Sequence, residues 1–127
     1  MALIPAEKRN VAVLGASPRP DRYSNQALRL LAQFDYRPLP VNPACDTIDG
    51  LDCVPNLAAI EEPIHTVTLY LQSARSTPLI QEILAANPQR IIMNPGAENE
   101  ELAAAASGAG IEVVEGCTLV MLRTGLF

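Results

Sequence analysis

The stretch Gly15-Ala16-Ser17-Pro18-Arg19-Pro20-Asp21-Arg22-Tyr23-Ser24 joins an apolar run at 11–14 to a helix-forming run that begins at Asn25. Small residues at 15–17 let main-chain N–H groups come close to a bound anion. Arg19 and Arg22 add guanidinium donors, which pair with phosphate in a bidentate manner. Ser24 is of the type that caps a helix, and a helix N-terminus carries partial positive charge. A strand, a small-residue turn and a helix start in succession offer recognition of a phosphate. A tight turn with two solvated arginines is the plainer reading of the same residues.

Three more apolar runs end in distinctive residues: Asn42-Pro43, Tyr70-Leu71-Gln72-Ser73 and Asn94-Pro95-Gly96-Ala97. Pro95-Gly96 is an ordinary turn signal as well as a helix entry. Glu98, Glu100 and Glu101 crowd the next helix start, where they suit the dipole better than acid–base chemistry. His65 is the sole histidine, and no motif brings a serine or cysteine to it, so no triad is read. Cys45, Cys53 and Cys117 form no C-x-x-C pair and read as reduced thiols, with no disulfide framework and no zinc site. Cys117, in an apolar segment, reads as a packed thiol. Cys45 follows Asn42-Pro43 and could lie beside a ligand crevice, where a mixed disulfide with a thiol ligand is conceivable.

The elements that must position these groups alternate. All-apolar residues 11–14 read as a strand buried on both faces. A helix follows at 25–33, with Ala27, Leu30, Leu31 and Phe34 on one face. Strand two is 38–41, imperfect for its prolines, and a short helix falls at 56–60. Strand three is 65–71, and a helix starts at Ser76-Thr77-Pro78 and ends at Asn87-Pro88. Strand four is 90–93; an Ala-rich helix runs from Glu98 or Asn99 to Gly108 or Gly110; strand five is 111–114. Residues 117–122 are apolar and of undecided type. Strands separated by helices mean right-handed βαβ units, hence an α/β fold with a five-stranded parallel sheet and a crevice at the strand C-termini.

With 127 residues, 49% of them apolar, the chain suits a single domain over 1–127. Formal net charge is −5, which argues against nucleic acid or an anionic membrane as partner. No apolar run reaches membrane-spanning length and the N-terminus does not read as a leader, so the expected location is cytoplasmic. NAD is disfavoured, because Gly15 stands alone and strand two ends in Asn42 where a ribose-holding acid is needed. Flavin is disfavoured by an aromatic content of 4%.

The ordered set Val13-Leu-Gly-Ala-Ser-Pro-Arg-Pro-Asp-Arg-Tyr-Ser24, Pro40-Val-Asn-Pro43, Thr68-Leu-Tyr-Leu71, Asn94-Pro-Gly-Ala-Glu-Asn99 and Cys117-Thr-Leu-Val-Met-Leu-Arg-Thr-Gly125 resembles the CoA-binding domain family. These are small relatives of the N-terminal domain of the succinyl-CoA synthetase alpha subunit. The resemblance implies a Rossmann-like three-layer fold of strand order 3-2-1-4-5, with CoA or an acyl-CoA lying across the strand ends. Its diphosphate would rest on Gly15, Ala16 and Ser17, with Arg19 and Arg22 as phosphate partners in the loop that continues through Tyr23 and Ser24. Asn42 and Pro43 would border the nucleotide end, and Tyr70, Leu71, Pro95 and Gly96 the rest of the cleft. The synthetase carries its phosphorylated histidine in a second domain, and His65 matches no catalytic position of the family, so a binding module without catalysis is the first expectation. A partner-dependent acyl-CoA ligase or transferase subunit and an NAD(P)-binding regulatory module stay open beside it. A protein partner or a second copy of the chain stays open too.

Overall fold

The computed structural model describes residues 4–127. The reading of the extreme N-terminus falls partly on residues 1–3, outside the described residues. The elements are β1 Asn10–Leu14, α1 Tyr23–Gln33, β2 Arg37–Val41, β3 Thr47–Ile48, β4 Leu51–Asp52, β5 Thr66–Leu69, α2 Ser73–Ser76, α3 Ile80–Ala86, β6 Arg90–Met93, α4 Glu100–Gly108, β7 Glu112–Glu115 and α5 Thr118–Thr124. Short 3-10 turns occupy Ala6–Lys8, Leu57–Ala59 and Thr77–Leu79. The helix expected from Ser76 is thus divided around Pro78, and the undecided apolar segment is α5.

Five strands form one parallel sheet in the order β2-β1-β5-β6-β7, while β3 and β4 make a separate hairpin. The α/β, Rossmann-like fold is as expected. Counted along the chain, however, the five strands run 2-1-3-4-5. The strand expected third, β5, pairs directly with β1 from Val11–Thr66 to Leu14–Leu69. The place outside β2 holds only a single parallel bridge, Val41–Val54. The reason lies in the donors. Pro40 O and Asn42 N–H bond outward to Val54, so alternate residues of β2 face that edge. Pro38 and Pro40 are two of them and have no N–H to offer a full neighbouring strand. The run Thr66–Leu69 is buried throughout and needs a strand on each side.

The pleat sorts the core into two layers. Ala12 and Leu14 join Val67, Leu69, Ile91, Met93, Ile83 and Leu102 on the α3–α4 face. Val11 and Val13 join Leu28, Leu31, Ile48 and Leu122 on the α1–α5 face. On α1 the buried stripe is Ser24, Ala27, Leu28 and Leu31. Leu28 replaces Leu30 and Phe34 of the expected face, and Phe34 is 43% exposed. The helix begins at Tyr23, two residues earlier than its spacing alone suggests, and the stripe that meets the sheet starts at Ser24 in its first turn.

Candidate functional site

The C-terminal ends of β1, β2 and β5 open on a cleft of about 610 Å3. That volume lies within the ~300–1,000 Å3 typical of small-ligand pockets. Gly15, Ala16, Ser17, Arg19, Arg22, Tyr23, Ser24, Asn42, Pro43, Tyr70 and Leu71 line it together. Pro95 and Gly96 do not; they form an exposed turn beyond β6. Pro55, Asn56, Arg75, Leu79 and Glu82 complete the wall.

Gly15 adopts φ +92°, and a Cβ there would stand 3.0 Å from Leu71 Cδ2 and 3.2 Å from the Tyr70 carbonyl carbon. The turn needs glycine for both reasons. It sends the Gly15 and Ala16 N–H groups back to Val41 O, each at 3.2 Å. Those two amides close the β1–β2 end and are not open to a ligand, contrary to the expectation for this loop. The open donors lie further on. The N–H groups of Ser17, Tyr23 and Ser24, all on residues that line the cleft, have no partner among the described residues. Arg22, not Ser24, is the N-cap of α1, and it gives no side-chain cap. Ser24 is buried inside the first turn. The Tyr23 and Ser24 amides are ones that a helix start leaves to a cap, a solvent molecule or a ligand.

Asparagines hold this loop. Asn42 Nδ2 donates to Ala16 O at 2.7 Å and its Oδ1 accepts from the Ala44 N–H at 2.7 Å. The peptide is trans, so fixing the Ala16 carbonyl turns the Ser17 N–H the opposite way. Asn25, fully buried, donates to Ser17 O at 2.9 Å and to Asp49 Oδ2 at 3.0 Å. Arg29 donates from Nε to Asn25 Oδ1 at 3.0 Å and from Nη2 to Pro20 O at 2.9 Å. Asn25 and Arg29 went unread in the sequence, although an amide four residues before an arginine on a helix is the signal for such a pair.

The electrostatics favour an anion. Arg19 stands 3.9 Å from Asp21, while Arg22 and Arg75 have no carboxylate in ion-pair range among the described residues. Arg75, on α2, is a cleft cation the sequence did not single out. Glu82, the one acidic wall residue among the described residues, accepts from the Leu57 N–H at 3.4 Å.

On the cleft floor the Tyr70 hydroxyl is buried without a bonding partner. Burial pushes its pKa from the ordinary 10 up to about 12, with the Thr118 and Thr68 hydroxyls nearby restraining the rise. Those hydroxyls are engaged with each other at 2.7 Å. His65 precedes β5, at the sheet end opposite the cleft, with Nδ1 2.8 Å from Thr66 Oγ1; burial, then the charge of Arg90, lowers its pKa. Cys45 and Cys117 are partly buried and Cys53 is buried. Among the described residues no three His, Cys, Asp or Glu side chains gather for a metal, and no helix is long and apolar enough to cross a membrane.

The chain is 31% identical over 93 residues to the uncharacterized protein YneT of Bacillus subtilis (strain 168), a match covering 73% of this chain and 69% of YneT. It resembles a crystal structure of an uncharacterized protein at 38% identity and TM-score 0.89, over 94% of this chain and 98% of that one. It also resembles the dinucleotide-forming acetyl-coenzyme A synthetase 1 of Ca. Korarchaeum cryptofilum, in complex with phosphate and ADP. That likeness has 25% identity and TM-score 0.73, over 85% of this chain and 25% of the synthetase. A family model described as CoA binding domain matches residues 9–123, and the chain belongs to that family.

Proposed function

We propose that the protein binds CoA or an acyl-CoA non-covalently, as a single cytoplasmic module with no reaction of its own. One observation carries the reading: the unpartnered Ser17, Tyr23 and Ser24 amides lie with Arg19 and Arg22 at one cleft of a chain from the CoA-binding family. The amides and guanidiniums meet the diphosphate, each supplying a charge-assisted bond. Asn42 and Asn25 act as positioning residues, fixing the Ala16 and Ser17 carbonyls so that the loop keeps its shape without ligand. Pro43 borders the nucleotide, and Tyr70 and Leu71 give the pantetheine arm an apolar floor. Arg75 adds positive charge on the far wall.

An NAD reading is weakened by Asn42. Its amide is engaged on both sides, and no carboxylate stands at the end of β2 to hold a ribose diol. The likeness to a quarter of an acetyl-coenzyme A synthetase supports a second reading, a subunit that completes a larger ligase. Thermal unfolding with CoA and with NAD tests the first. CoA at a hundredfold excess over its Kd stabilises by about 2.7 kcal/mol through mass action, and NAD at the same concentration does much less. No shift with CoA, or equal shifts with both, refutes the proposal. Turnover of an acyl-CoA only after a larger chain is added supports the second reading.

A further inference from the structure

The loop beyond β2 carries two thiols that ligand binding leaves unused. Cys45 and Cys53 flank the β3–β4 hairpin. The Cys53 N–H donates to Asp46 O at 2.8 Å, one step beyond the Thr47–Asp52 pair. Cys45 is the next residue along, and its N–H donates to Asn42 O at 3.4 Å. The Cys53 thiol reaches the same carbonyl at 3.6 Å, with Val54 O at 3.9 Å as an alternative acceptor. Both side chains pack on the cluster of Val13, Leu28, Leu31 and Ile48, and the shared Asn42 carbonyl brings the Cys45 backbone and the Cys53 thiol together. Cys53 is buried and Cys45 partly exposed, which gives the pair an outer and an inner member. Burial pushes the Cys53 thiol up, and the proximity of Cys45 pushes it further.

We propose that Cys45 and Cys53 form a reversible disulfide and so make the hairpin a redox modification site that tunes the cleft. The oxidant is a low-molecular-weight disulfide. The Cys45 thiolate attacks one of its sulfurs; a Cys45–S bond forms, the oxidant's S–S bond breaks and one thiolate leaves. Cys53 then gives its proton to water and attacks Cys45 Sγ, expelling the second thiolate. Two protein thiols lose two electrons and two protons, and the oxidant becomes two thiols. Oxidised Cys53 has no proton to donate to Asn42 O, on the residue whose amide fixes the Ala16 carbonyl. The effect on the cleft rests on the CoA reading; the disulfide itself does not.

The full chain is treated with oxidised glutathione, and its thiols are counted and mapped by peptide mass spectrometry. Free thiols should fall from three to one, with Cys45 and Cys53 in one joined peptide. Cys53→Ser should retain glutathione on Cys45, and Cys45→Ser should leave Cys53 unmodified. Three surviving thiols, or a bond to Cys117, overturn the proposal. Oxidation should weaken CoA binding about threefold, the size of one weak hydrogen bond, and a reductant should restore it. Equal affinity in both states overturns the tuning. Absence of CoA binding in both states refutes the ligand reading, while the mapped disulfide still decides the redox site.

Discussion

Two strand-to-helix junctions of this sheet are alike in plan and opposite in chemistry. Both leave a parallel strand, turn through a left-handed glycine and enter a helix: Gly15 at φ +92° before α1, Gly96 at φ +88° before α4. At the second junction side chains of the loop itself take up donors, and the charge there is negative. Asn99 accepts from the Leu102 N–H at 3.0 Å, Glu98 accepts from the Gly96 N–H at 2.9 Å, and Glu100 and Glu101 fill the first turn. At the first there is no side-chain cap and no acid in the first turn, and Arg22 stands where the cap would be. Carboxylates at one helix start repel an anion, and guanidiniums at the other attract it. A helix start becomes a candidate anion site when its own residues supply neither a side-chain cap nor a carboxylate.

The comparison can be broken first at the glycines. Gly15→Ala places a Cβ against Leu71 and the Tyr70 backbone in addition to the left-handed strain, and should cost roughly 3 kcal/mol. Gly96→Ala meets nothing within 4 Å and should cost only about 1 kcal/mol. Denaturant titrations of the two variants read the difference, and equal losses would mean the first junction is no tighter than the second.

Tyr70, just past the strand between the junctions, gives the next effect. Unfolded chains lose the phenol proton near the ordinary pKa of 10, while the folded chain keeps it until about 12. The unfolded state therefore holds fewer protons in that window, and stability falls as pH rises through it, by roughly 2–3 kcal/mol in all. Tyr70→Phe should remove this alkaline loss. At neutral pH it should cost little, because the hydroxyl has no bonding partner to lose. Parallel loss curves for both proteins between pH 10 and 12 would refute the burial of the phenol.

The smallest effect sharpens the electrostatic contrast. Arg19→Ala with Arg22→Ala should weaken CoA binding about tenfold and flatten its salt dependence, as expected for two exposed charge-assisted contacts. Glu98→Gln at the other junction should leave the titration unchanged. Isothermal titration at two salt concentrations separates them, and equal effects would erase the distinction.

Much of the fold was legible because its signals are local. The run at 90–93 reads as a strand and is one, and Asn99 with acids behind it reads as a helix start and is one. The loops that line the cleft were legible as well, from Gly15 to Ser24 and at Asn42-Pro43 and Tyr70-Leu71. Pro95 and Gly96 read the same way but lie outside, because their strand is two places from β1 in the sheet. Asn25 was hidden by its position on an otherwise apolar face, and Arg75 by the expectation that the helix there begins at Ser76.

By itself, the amino-acid order determined the α/β alternation, the parallel sheet and the loop with two arginines, since periodicity and turn chemistry act over a few residues. Tertiary structure alone decided which amides face the cleft. Val41 O takes those of Gly15 and Ala16, and Asn42, by holding the Ala16 carbonyl, turns the Ser17 N–H. Those bonds join residues far apart in the chain, and no local pattern records which distant carbonyl a given N–H will meet.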